Sequence, residues 1–222
     1  CDLNDLREHL LLYAVTDRAW LSAAPVAIAT LEEQVSEAIR GGATIIQLRE
    51  KELDDAAYTA LARRIKAVTD AFGVPLIIND SLETAIASDA AGLHVGQTDG
   101  DVRAIRARLD ANKILGVSAQ NVTQARAAEA DGADYLGVGA VFPTTTKSDA
   151  ADVPLDELAA ICAAVRIPVV AIGGIHTGNA LALKGCGLAG ICVVSALFSR
   201  PDQVQASARA LRGLATELTG RI

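Results

Sequence analysis

The chain has no methionine and little aromatic content: one Trp, three Tyr and three Phe among 222 residues. Its core must therefore be packed from small and branched side chains. Half the chain is hydrophobic, so a sizeable core is available, and 18 glycines fit Ala/Val/Ile packing with many tight turns. Positive charge is also short. A formal net charge of −7 argues against nucleic acid or an anionic membrane as partner. No apolar run approaches the roughly 20 residues of a membrane span, and the start shows no cationic, apolar leader. Cys1, Cys162, Cys186 and Cys192 form no Cys-x-x-Cys pair and have no His at metal spacing. They read as free thiols of a reducing compartment, which makes the expected location cytoplasmic. The missing Met, with Cys1 in first place, leaves the true N-terminus open.

What is present is alternation. A short leader, residues 1–9, is open to helix. Leu10–Thr16 reads as a first apolar strand, followed by a longer loop over residues 19–29. Thr30-Leu-Glu-Glu33 is a capping box for a helix through Arg40, stopped by Gly41-Gly42. Thr44–Leu48, short and β-branched, is a second strand; Asp54 caps a helix to Ala71 with Leu61, Ile65 and Val68 on one face. Further strands are expected at Leu76–Asn79, Gly92–Val95, Ile114–Val117, Tyr135–Gly139, Val169–Ile172 and Ile191–Val194. Helices are expected at Ser81–Ser88, Asp101–Leu109, Thr123–Ala130, Leu155–Val165, Asn179–Leu183 and Pro201–Leu218. Eight strand–helix units in strict order, without a linker, imply a parallel sheet closed into a (β/α)8 TIM barrel, with residues 1–222 one α/β domain. An open doubly wound sheet is the competitor, but no Gly-x-Gly-x-x-Gly follows the first strand.

In such a barrel the site lies at the C-terminal ends of the strands. The polar residues gather there. The second strand supplies Gln47, Arg49, Glu50 and Lys51, the third Asn79 and Asp80, the fourth Gly96-Gln97-Thr98-Asp99, and the fifth Ser118. The sixth is followed by Thr144-Thr145-Thr146-Lys147, the seventh by Gly173-Gly174, and the eighth ends in Val194-Ser195. Arg49 and Lys51 suit phosphate, Arg as a bidentate fork and Lys as a point charge, although solvated charges opening a helix would look the same. Asp80 and Asp99 on neighbouring strands would repel unless bridged, and Mg2+ is the cation that two carboxylates and phosphate oxygens share. Asp80 also fits a helix N-cap. Gly173-Gly174 and Val194-Ser195 stand where barrels commonly hold a phosphate on backbone N–H groups. His94, inside a strand, reads as a satisfied core residue, and no His is assigned a catalytic role. Trp20 and Tyr58 read as packing residues.

Together Gln47-Leu-Arg-Glu-Lys51, Asn79-Asp80, Gly96-Gln-Thr-Asp99, Gly116-Val-Ser118, Phe142-Pro-Thr-Thr-Thr-Lys147, Ala171-Ile-Gly-Gly-Ile175 and Val193-Val-Ser195 resemble the thiamine-phosphate synthase family, in register from about Leu12 to the final helix. The resemblance implies coupling of a hydroxymethylpyrimidine diphosphate to a thiazole ethyl phosphate, with release of pyrophosphate. It implies that Gln47, Leu48, Arg49, Glu50, Lys51, Asn79, Ser118 and Lys147 meet the pyrimidine diphosphate, with Lys147, Arg49 and Ser118 catalytic. Thr144, Thr145, Thr146, Gly174, Val194 and Ser195 would hold the thiazole phosphate, and Asp80 and Asp99 would hold Mg2+. Partners would be small phosphorylated substrates, with no nucleic acid or membrane, and a homo-oligomer is left open. A thiazole tautomerase would lack the cation and acid set and carry a His near Gly116-Val-Ser118, where Gln120 stands. A non-catalytic barrel that binds thiamine phosphate would have no need of Arg49, Lys51, Asp80, Asp99 and Lys147.

Overall fold

The computed structural model describes residues 3–144 and 152–221, with side chains from Asp5 onward. Eight parallel strands close on themselves in chain order: β1 Leu12–Val15, β2 Ile45–Leu48, β3 Leu76–Asn79, β4 Gly92–Val95, β5 Ile114–Ala119, β6 Tyr135–Val138, β7 Val169–Ile172 and β8 Gly190–Val193. Closure is made where β8 pairs with β1, Cys192 lying opposite Tyr13. The expected barrel is therefore the observed one.

Nearly every strand residue is buried, so the period-two signal is hidden from exposure and visible only in which core each residue joins. Leu12, Ala14, Ile46, Leu48, Leu76, Ile78, Leu93 and Val95 face outward against the helices. Tyr13, Val15, Ile45, Ile77, Ile114, Tyr135, Val170 and Cys192 fill the barrel interior. Its lower end is plugged by Leu6 and Leu10, at 1% and 0% exposure, from helix α1 (Leu3–His9) and the residue after it.

The outer ring is α2 Leu31–Gly41, α3 Asp55–Ala71, α4 Leu82–Ala87, α5 Val102–Arg108, α6 Val122–Ala130, α7 Leu155–Ala164, α8 Ser195–Phe198 and α9 Val204–Thr219. The capping box forms as expected: Thr30 Oγ1 accepts from Glu33 N at 3.2 Å, and Glu33 Oε2 accepts from Thr30 N at 3.0 Å. Gly42, at φ 117, ends α2 in the left-handed region that only glycine enters freely.

Two expectations are corrected. The segment over 19–29 carries two 3-10 turns, Arg18–Ala23 and Val26–Ile28, the first capped by Asp17. The helix expected at Asn179–Leu183 is a 3-10 turn, Ala180–Leu183. Both are short-range turns, in which local hydrogen bonds decide and hydrophobic period says little. The closing helix expected at Pro201–Leu218 is observed as α9, Val204–Thr219, and the short α8, Ser195–Phe198, starts directly after β8. Trp20 packs, half-buried, on the outer core.

Candidate active site

At the C-terminal mouth of the barrel lies a cavity of about 430 Å³. The alternation that sorts the core also sorts the rim. On β2 and the residues after it, Gln47, Arg49 and Lys51 face the cavity. Leu48 and Glu50 are out of phase with them and do not line it. Leu48 is fully buried against the helices, and its carbonyl accepts from Tyr58 Oη at 2.7 Å. The Glu50 carboxylate pairs with Arg18 at 2.9 Å. The side chains of these two therefore turn away from the cavity, since a strand offers one face only every second residue.

The cation-bearing segment is held from two sides. Thr16 N donates to the Gln47 carbonyl at 2.9 Å, and Thr16 Oγ1 accepts from Arg49 N at 3.1 Å. Tyr58, on α3, donates to the Leu48 and Asn79 carbonyls and so ties the ends of β2 and β3 together.

Asn79 and Asp80 line the same cavity. Asp80 sits at φ 64, a left-handed conformation costly for a residue with a Cβ and best tolerated by Asp and Asn. The kink is fixed by Asp80 N donating to the His94 carbonyl (2.9 Å) and Ser81 N to the Asn79 carbonyl (2.8 Å). The helix cap is Ser81, whose Oγ accepts from Thr84 N, so the N-cap alternative for Asp80 falls. Strain of this kind concentrates at functional sites. Asp99 reaches the cavity from the turn after β4, where its Oδ2 accepts from Gly96 N at 2.6 Å.

β3 and β4 stand across an eight-stranded ring from β7 and β8. On that far side Gly173 (φ 100), Gly174 (φ 63), Val194 and Ser195 line the cavity, with Ser195 opening α8. A Cβ on Gly173 or Gly174 would run into the backbone of Ala140 or of Phe142 and Pro143, so glycine is required on steric grounds as well as conformational ones. Thr144 also lines the cavity; Thr145, Thr146 and Lys147 lie outside the described residues.

Tyr13, His94, Gln97, Thr98, Gln120 and Cys192 are among the lining residues to which the sequence assigned no binding or catalytic role. Gln97 Nε2 donates to the Ser118 carbonyl at 2.6 Å and closes β4 against β5. His94 is satisfied, as expected, yet it stands beside Ser118, with Nε2 3.0 Å from Oγ. A His thus lies near Ser118 through space, from β4, although Gln120 follows it in sequence. Discrimination from a tautomerase rests on the cations and acids alone. Burial pushes the Cys162 thiol up to about 12 and raises Cys192 further, so neither is a ready nucleophile.

Polar and charged side chains gathered around a cavity at the C-terminal mouth of one closed parallel barrel mark the class, an α/β-barrel enzyme. A family model described as thiamine monophosphate synthase matches residues 12–197. The thiamine-phosphate synthase of Ruminiclostridium cellulolyticum is 47% identical over 200 residues, covering 90% of this chain and 92% of its own. That of Methanobrevibacter smithii is 46% identical over 178 residues, covering 80% and 85%. A solved thiamine phosphate pyrophosphorylase from Pyrococcus furiosus matches with a TM-score of 0.85 at 35% identity, covering 96% of this chain and 98% of that one. The chain belongs to the thiamine-phosphate synthase family, a family of transferases.

Proposed function

We propose that the cavity joins a hydroxymethylpyrimidine diphosphate to a thiazole ethyl phosphate, giving thiamine phosphate and pyrophosphate. The observation that carries this reading is the division of the mouth. Arg49, Lys51, Asp80 and Asp99 stand on one side, and the glycine-lined start of α8 stands on the other. The first side suits a diphosphate that must leave, the second a monophosphate that stays.

Arg49 and Lys51 grip the diphosphate, and Lys147, on the loop after β6, follows the charge that grows on it as the C–O bond breaks. Gln47, Asn79 and Ser118 orient the aminopyrimidine, whose electron-rich ring stabilises the cation left at its methylene. Gly174, Val194 and Ser195 present backbone N–H groups to the thiazole phosphate, and Thr144, Thr145 and Thr146 are assigned to the same phosphate. Positioning and exclusion of water then do most of the work.

The residues present fit Mg2+. Asp80 and Asp99 supply hard oxygens at one mouth, and among the described residues no cluster of three His, Cys or acid side chains forms a protein-only metal centre. That is the donor set of a cation held by one or two carboxylates plus substrate oxygens. When bound there, Mg2+ would neutralise charge on the departing pyrophosphate. The unpaired thiols of Cys162, Cys186 and Cys192 support a reducing, cytoplasmic setting.

Asp80→Asn and Asp99→Asn test the assignment, and Asn retains tolerance of the left-handed kink at position 80. Each is expected to lower Mg2+-dependent turnover about a hundredfold or more, while the thermal midpoint stays near wild type. Turnover that survives either change, or that ignores a chelator, contradicts the metal assignment.

A further inference from the structure

Beneath the rim a chain of hydrogen bonds crosses the inside of the barrel. Gln47 Nε2 donates to Tyr13 Oη at 2.8 Å, and Tyr13 Oη lies 2.6 Å from Tyr135 Oη. Tyr135 Oη is 2.9 Å from His94 Nδ1, and His94 Nε2 is 3.0 Å from Ser118 Oγ. Gln47 on β2 and Ser118 on β5, both facing the cavity, are therefore the two ends of one chain. Tyr13 and Tyr135 are 1% and 0% exposed, and burial raises both phenols above their ordinary range, so both keep their protons. Two glycines make room for the rings. A Cβ on Gly116 would collide with the Tyr135 ring, and one on Gly137 would come within 3.1 Å of His94 Cε1.

Proton counting fixes the direction. The Gln47 amide N–H can only donate, so the Tyr13 oxygen accepts there and its own proton must find another acceptor. The nearest is Tyr135 Oη; the Cys192 thiol, also close to Tyr13, accepts weakly. Tyr135 then gives its proton to His94 Nδ1. That leaves the hydrogen of the neutral imidazole on Nε2, facing Ser118. The reverse order would bury a Tyr13 hydroxyl with no good acceptor.

We propose that Tyr135 is a positioning residue that holds His94 as its Nε2–H tautomer, so that Ser118 Oγ accepts from His94 and turns its own proton into the cavity as a donor. What that proton meets rests on the reaction proposed above; the tautomer does not.

Long-range 1H–15N spectra of the 15N-histidine-labelled protein at neutral pH test this. The His94 signals are assigned by their loss in His94→Gln. The expected wild-type spectrum shows a protonated Nε2 and a bare Nδ1. Tyr135→Phe should mix the tautomers and lower kcat about tenfold with KM little changed, the scale on which outer partners of a working His act. Tyr13→Phe, which leaves the Tyr135 donor in place, should keep the Nε2–H form. A wild-type His94 protonated on Nδ1 overturns the proposal, as does a Tyr135→Phe variant with wild-type kcat and an unchanged tautomer. Should Tyr135→Phe fail to fold, the wild-type spectrum decides alone. A protein that shows the expected tautomer but releases no pyrophosphate refutes the reaction and leaves the hydrogen-bond chain standing.

Discussion

Ser195 opens α8 at the edge of the cavity, across the mouth from Asp80 and Asp99. A carboxylate there would face an incoming phosphate at a helix start, where anions are otherwise favoured. Ser195→Asp is therefore expected to weaken thiazole phosphate binding at least about tenfold and to leave pyrimidine diphosphate affinity nearly unchanged, by calorimetry with each ligand separately. The opposite pattern would mean that the two phosphate sites are exchanged. At this scale the sequence was informative wherever charge or glycine marked a strand end: Arg49, Lys51, Asp80, Asp99, Gly174 and Ser195 all reach one cavity. At Leu48 and Glu50 the side chains turn away from that cavity, because contiguous residues of a motif alternate between two faces. The sequence presented His94 as a satisfied core residue but did not name its partner Tyr135, because the contact joins positions 41 apart in sequence and depends on two glycines leaving space for rings.

Among the elements, the strands were the most legible, since each is a short apolar run ended by Gly, Asn, Ser or a charge. Their pairing needed only chain order. The 3-10 turns over 18–28 were not legible, because neither carries a hydrophobic period of its own. The seam between β8 and β1 is the element on which closure depends, and Gly190 sits at its start. A Cβ at Gly190 would run into the backbone of Leu10 and Leu11. Gly190→Ala should therefore cost about 1–3 kcal/mol or more, read from urea denaturation, because backbone cannot yield as a flexible side chain can. A variant as stable as wild type would show that the seam has slack the packing does not reveal.

For the whole molecule, the scarcity of aromatics becomes a usable probe. All three tyrosines are buried: Tyr13 and Tyr135 inside the barrel, Tyr58 between β2, β3 and α3. Burial is the largest cause raising each phenol above its ordinary value of 10.0. Above that pH the unfolded chain loses phenolic protons that the folded chain keeps, so folding stability is intact below pH 10 and falls as pH rises past it. Phenolate absorbance should therefore appear together with loss of circular dichroism. A smooth titration near pH 10 with the fold intact would contradict the burial of the phenols.

The central claim is that one barrel mouth brings a diphosphate and a monophosphate to a common reacting centre, with Mg2+ on the diphosphate side. The most direct measurement is pyrophosphate release from the purified protein, supplied with each substrate alone and then with both, with Mg2+ and after chelation. The account predicts rapid release only when both substrates and Mg2+ are present, with thiamine phosphate formed in equal amount. Release from the diphosphate without the thiazole phosphate at the same rate, undiminished turnover after chelation, or no release with both substrates present would contradict it.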